Sequence, residues 1–307
     1  MLGSAIVALA GGVLLVGPVL LALAGVLRLR GAASASAARD AVAPPWNRRL
    51  SLNSALLYTL AFNLTFFVQE LFLVLPKALT PGLRPTLFHN NHAWQGEHPL
   101  AALFQGSGAV ATVVVASLCA WRLRRPRGGT GSRLFLIWMA YCGWLMALPQ
   151  VAIGALSDGS DLGMAMRYLQ WGPAARLCAA ALALAAIPFA ALSLLRPLLA
   201  LADAPERIAG PAARTRFVFQ CATLPALLGT ALTVPFRMPR EWIEVALLPA
   251  WVALFGLVWI QAGAWRVQGV RAGGAAMRPG STLGLALAAA GLLLVFQLLL
   301  RPGIAFY

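Results

Sequence analysis

Of 307 residues, 60% are hydrophobic and 11% charged, with a mean hydropathy of +0.78. Soluble domains carry about 25% charged residues, so this composition excludes that class and predicts a membrane protein. The formal net charge of +15 lies in short basic runs between apolar stretches. That is the pattern of a membrane protein's cytoplasmic loops, not the clustered basic face of a nucleic-acid binder, so no nucleic acid is expected as a partner.

A transmembrane helix needs about 20 apolar residues, and eight stretches meet or approach that length. The first, 3–27, has no basic region before it and is longer than the apolar core of a signal peptide. It is expected to be a retained span, a cleaved signal ending near Ala24 being the alternative. A polar connector closing on Arg48 and Arg49 leads to the second span, 52–75, which contains Glu70 and stops at Pro76. A loop, 76–99, holds all three histidines. The third span, 100–121, ends at a basic run, and the fourth, 134–156, ends at the acidic turn around Asp158 and Asp161. The remaining spans are 172–195, 217–236, 242–265 and 281–300. Pro188, Pro225 and Pro249 fall inside spans and predict kinks, which in membranes often border a cavity. No repeat of defined period is evident, so 1–307 reads as one all-α polytopic membrane domain.

Most of the 24 basic residues fall in the connectors after spans 1, 3, 5 and 7. The positive-inside rule places those connectors in the cytoplasm. The expected location is therefore the cytoplasmic (inner) membrane, with the histidine loop and both termini extracytoplasmic. Six of the nine acids, Glu70, Glu97, Asp158, Asp161, Glu241 and Glu244, gather at that same outer face. Acids contribute little to topology, so their gathering suggests a site.

The histidine loop is the strongest pointer to chemistry. His89 and His92 are spaced i, i+3, which on a helix puts both rings on one face. Imidazole is the commonest metal ligand. With His98 or Glu97 added, the set suits zinc, copper or iron. The HExxH pattern of zinc proteases is absent. The competing reading is a set of polar residues at headgroup level, with Asn90 and Asn91 tightening a turn. Pro76, Pro81, Pro85 and Pro99 break the loop, while Leu83, Leu87 and Trp94 keep it apolar. That combination predicts a re-entrant or interfacial segment folded over the outer mouth of the bundle.

Glu70, inside a span, is costly there and needs a partner. Lys77, seven residues on, and Arg176, at the outer end of the fifth span, are the candidates. As a functional group Glu70 would be a base, a proton relay or a fourth metal ligand. As a structural one it would fix helix packing in an ion pair. Ser107, between two glycines, resembles an intramembrane nucleophile, but every histidine precedes it. Small residues allowing close helix approach are the better account. Cys119, Cys142, Cys178 and Cys221 form no CxxC pair and read as buried hydrophobes.

Three readings follow. The first is metal-dependent enzymatic or redox/assembly chemistry at the outer face, with His89, His92 and His98 as ligands, Glu70 or Glu97 as catalytic groups, and Asn90, Asn91, Trp94 and Arg176 around them. The second is a transporter or channel-like pathway lined by Glu70, Arg176 and the histidines. The scattered polar residues of the inner halves, such as Gln220 and Gln261, count against it. The third is a non-catalytic subunit that docks on another membrane protein. The lipid bilayer is a partner in all three.

Overall fold

The computed structural model describes residues 2–35, 44–125, 128–238, 241–274 and 280–307. Eight helices in it are long and apolar enough to cross a membrane by length and composition: α1 Gly3–Arg28, α2 Arg48–Ala78, α3 Ala101–Leu123, α4 Thr130–Leu156, α6 Pro173–Leu199, α7 Pro211–Arg237, α8 Ile243–Arg266 and α9 Thr282–Leu300. A short helix, α5 Asp161–Tyr168, lies between α4 and α6. Each helix contains most of the expected span.

Helix α2 is the axis of the bundle. Asn47 caps it, its side-chain oxygen accepting from the Leu50 amide at 3.0 Å. In its most apolar window 72% of residues are buried, against 11% in α1, so α1 packs at the margin. Tyr58 of α2 meets Trp138 of α4 edge-on, with ring centroids 5.0 Å apart, and Trp138 meets Tyr141 in the same way at 5.5 Å. Apolar burial drives little association between helices in lipid, so close packing and interhelical hydrogen bonds must supply it. Glycine provides the close packing. A Cβ on Gly229 of α7 would lie 2.6 Å from the Tyr58 ring, and one on Gly143 of α4 would lie 2.8 Å from the Thr112 carbonyl of α3.

Small polar side chains of α2 provide the hydrogen bonds. Ser51 Oγ donates to the Gln220 carbonyl at 2.8 Å and Ser54 Oγ to the Cys221 carbonyl at 2.6 Å. Both carbonyls belong to a π-helical turn of α7, Phe219–Thr223, where the wider winding disturbs the regular ladder. Further along, Asn63 Nδ2 donates to the Thr59 carbonyl and to Thr233 Oγ1. At Pro225 and Pro249, two of the prolines expected to kink spans, the helix winding changes. Each proline sits just past a π-helical turn (Phe219–Thr223 and Ile243–Leu247), which loosens the ladder ahead of the proline that lacks an N–H.

One end of the bundle is closed by a small antiparallel sheet in the order β2-β1-β3. Its strands are β1 Arg84–Leu87, β2 His92–Gln95 and β3 Ile304–Ala305. Leu87 pairs with His92 and Pro85 with Trp94, and Thr86 and Leu87 pair with the C-terminal strand. The segment expected to be re-entrant or interfacial is thus a hairpin anchored by the tail. Inward-facing Leu87 packs with Val74, Phe296 and Leu300. His89 and His92 do not share a helix face, because His89 sits in the hairpin turn and His92 opens β2. Period-two geometry then pairs His92 with Trp94 instead.

Candidate functional site

The hairpin delivers His92 to Glu70. Their side chains are both buried, with His92 Nδ1 2.8 Å from Glu70 Oε2. The other ring nitrogen, Nε2, lies 3.0 Å from Gln105 Oε1, at the start of the third span. Lys77 Nζ, fully buried, also donates to Gln105 Oε1, at 3.0 Å, and to the Leu73 carbonyl at 2.7 Å. Its ammonium lies over the Trp94 ring, 4.6 Å from the centroid, and Trp94 stacks on His92 at 5.9 Å.

The acceptors around His92 dictate where its protons can be. Gln105 Oε1 already accepts from Lys77, so it accepts from His92 Nε2 as well. On the opposite side only one proton lies between Nδ1 and Oε2. It rests on the ring, making an imidazolium–carboxylate pair, or on Glu70, making a neutral pair. Either way one hydrogen bond joins Glu70 to His92, and its proton can lie on either partner.

Glu70 also lines a cavity of about 240 Å³ enclosed by α2, α4, α5, α8, the end of α7 and the hairpin turn. Its polar wall contains Gln69, Glu70, Asn90, Asp161, Arg237 and Glu244, and its apolar wall includes Phe66, Met146, Trp251 and Phe255. Gln150 Nε2 holds Gln69 Oε1 at 2.8 Å. Arg237 is buried, with its guanidinium 4.3 Å from the Phe66 ring centroid. Its Nε donates to the Glu244 carbonyl at 2.8 Å, and its own carbonyl accepts from Asn90 Nδ2 at 3.1 Å. Burial pushes the Asp161 carboxyl above its ordinary value. His92 opposes that shift, Glu70 adds to it, and Lys77 opposes it.

Only some of the expected site residues come together. Glu70, His92 and Trp94 come together around Lys77, while Asn90 and Asn91 reach the cavity wall. Asn91 also holds the turn, its side chain accepting from the His92 amide at 2.7 Å. His98 belongs to the approach to the third span, its Nδ1 accepting from the Leu100 amide at 3.2 Å. Glu97 is exposed, and His89 is buried in the turn. Arg176 pairs with Asp158, so it is not the partner of Glu70. Among the described residues, no group of three or more His, Cys, Asp or Glu is placed to hold a metal ion.

Sequence reading missed Gln105 and Arg237 as site residues, and placed Glu244 only among the acids gathered at the outer face. A glutamine inside an apolar span was the available signal for Gln105. Arg237 looked like an ordinary interfacial charge at a span end, and only the fold turns it and Glu244 towards one cavity. The chain matches no protein-family model, no curated protein and no solved structure.

Proposed function

We propose that this multi-pass membrane protein takes an amphipathic molecule from the bilayer into the cavity at its hairpin end, on the extracytoplasmic side, and that the Glu70–His92 pair exchanges a proton with it. The observation that carries this reading is the double position of Glu70. One face of its carboxylate is bonded to His92, and the residue also lines the cavity. A proton held between two such groups is available to a bound molecule by a short transfer, the arrangement general acid–base chemistry needs.

The walls support an amphipathic ligand over a small soluble one. Pockets that combine a large apolar wall with a few converging polar groups are the usual form of small-molecule sites. Ile153 and Trp251 line the cavity and remain partly exposed on the outside of the bundle, which gives a sideways approach from lipid. A metal-dependent version of the site would draw on zinc, copper or iron, but His92 has both ring nitrogens already engaged.

The test is to extract and weigh the amphipathic molecules retained by purified protein after a stripping detergent wash. Leu248 lines the cavity from α8. The wild type is expected to keep about one equivalent, a single-site stoichiometry, and Leu248→Trp, which fills the space, to keep none. A wild type that retains nothing overturns the reading. Rebinding of the extracted molecule should also release or take up a proton, read by calorimetry in two buffers of different ionisation enthalpy. Glu70→Gln should abolish that proton, and an unchanged proton count in the variant removes Glu70 from the exchange.

A further inference from the structure

We infer that the ligand of this cavity is a phospholipid whose zwitterionic head carries a primary amine, with its phosphate on Arg237 and its ammonium on Glu244 and Asn90. The inference rests on the reading of the cavity as a site for a bilayer-derived molecule and adds its chemical class.

Three buried polar atoms point to it. Arg237 Nη2, Asn90 Oδ1 and Glu244 Oε2 are each shielded from solvent and make no hydrogen bond to the described residues. Arg237 and Asn90 are each only 3% exposed, and all three residues line the same cavity. Buried polar atoms of this kind are costly unless something completes them. The set contains one cationic donor and two acceptors, one of them a carboxylate. Its complement is therefore a molecule with an anionic or strongly accepting oxygen and, within a few atoms, an N–H donor with positive charge.

Neighbouring groups narrow the class. The remaining donors of Arg237 are partly committed, with Nε on the Glu244 carbonyl, which leaves Nη2 to face a phosphate oxygen. Glu70 is already paired with His92, which leaves Asp161 and Glu244 on the wall against Arg237. A purely anionic head would meet those two carboxyl groups and one guanidinium. A quaternary ammonium would bring charge but no N–H to Asn90 or Glu244. A primary ammonium satisfies both.

Depth agrees with the chemistry. Arg237 is the last residue of α7 and Glu244 lies in the first turn of α8, so both stand at a helix end, the level of lipid headgroups. From there the apolar wall of Phe66, Phe255 and Trp251 leads outward past Ile153, where acyl chains can leave between α4 and α8.

The experiment is a native mass spectrometry titration of the delipidated full chain with phosphatidylethanolamine, phosphatidylcholine and phosphatidylglycerol of identical acyl chains, and with water-soluble phosphoethanolamine. Phosphatidylethanolamine is expected to bind at least about tenfold more tightly than either other lipid, because a site built around N–H donors rejects analogues that lack them. Glu244→Gln should reduce that preference, and Leu248→Trp should abolish binding of all three. Equal affinity for phosphatidylethanolamine and phosphatidylcholine overturns the amine assignment, and tighter binding of phosphatidylglycerol overturns the zwitterion. Soluble phosphoethanolamine that binds as well as the lipid overturns the lipid source. If none of the lipids binds while the wild type still retains a molecule that Leu248→Trp loses, this inference fails and the reading of the cavity stands.

Discussion

At the scale of single residues, the site depends on an ionisable cluster that the bilayer would not tolerate unpaired. Lys77 is fully buried yet has a carbonyl, an amide oxygen and an aromatic face around its ammonium. Glu70 and His92 are buried against one another at 2.8 Å. Removing one member of such a pair leaves the other buried without compensation, which typically costs about 3–5 kcal/mol. Glu70→Ala should therefore lose about 3 kcal/mol of stability. Glu70→Gln offers an amide N–H to His92 Nδ1 and should cost less than about 1.5 kcal/mol, the net worth of an ordinary hydrogen bond. Denaturation midpoints of the two variants in one detergent decide the matter. Equal losses would show that the hydrogen bond glutamine can offer His92 recovers none of the stability.

At the scale of elements, the helices were legible in the sequence and the site was only half legible, for a physical reason. A membrane helix announces itself through some 20 consecutive apolar residues, a signal carried by every position in it. The convergence of His92, Glu70, Gln105 and Lys77 depends on a hairpin four residues long on each side, whose short strands leave almost no periodic trace. His89 and His92 satisfied a helical spacing by coincidence, and strand geometry replaced it. Helix contacts were similarly hidden, since a glycine in an apolar run looks the same whether it faces lipid or a neighbour. Gly143 and Gly291 show the difference. A Cβ at Gly143 meets the Thr112 carbonyl and the Ala116 Cβ, both at 2.8 Å, while one at Gly291 meets nothing within 4 Å. Gly143→Ala should destabilise the protein by about 1–3 kcal/mol through overpacking. Gly291→Ala should be neutral or gain up to about 1 kcal/mol from helix propensity. Thermal unfolding of both variants checks the pair, and a harmless Gly143→Ala would mean that α3 and α4 can separate without penalty.

At the scale of the whole molecule, the two ends differ in kind. The hairpin end holds the paired cluster, the cavity and most of the acids. The opposite end carries Arg28, Arg48, Arg49, Arg122, Arg124, Arg196, Arg214 and Arg266 at or near helix termini. Basic residues near span ends resist translocation, whereas acids barely influence it, so the arginine-rich end should remain in the cytoplasm and the hairpin should face out. Glu97 and Arg124 are exposed at the two ends and can carry reporters. In intact cells a membrane-impermeant maleimide should label Glu97→Cys above the background of the four native cysteines and leave Arg124→Cys at background. In inverted vesicles the pattern should reverse. The outcome bears on the ligand as well as on orientation, because the cavity at the hairpin end can draw only on the leaflet beside it. Labelling of Arg124→Cys from outside would move the Glu70–His92 pair to the cytoplasmic leaflet. It would overturn the extracytoplasmic half of the proposed function and leave the geometry of the pair intact.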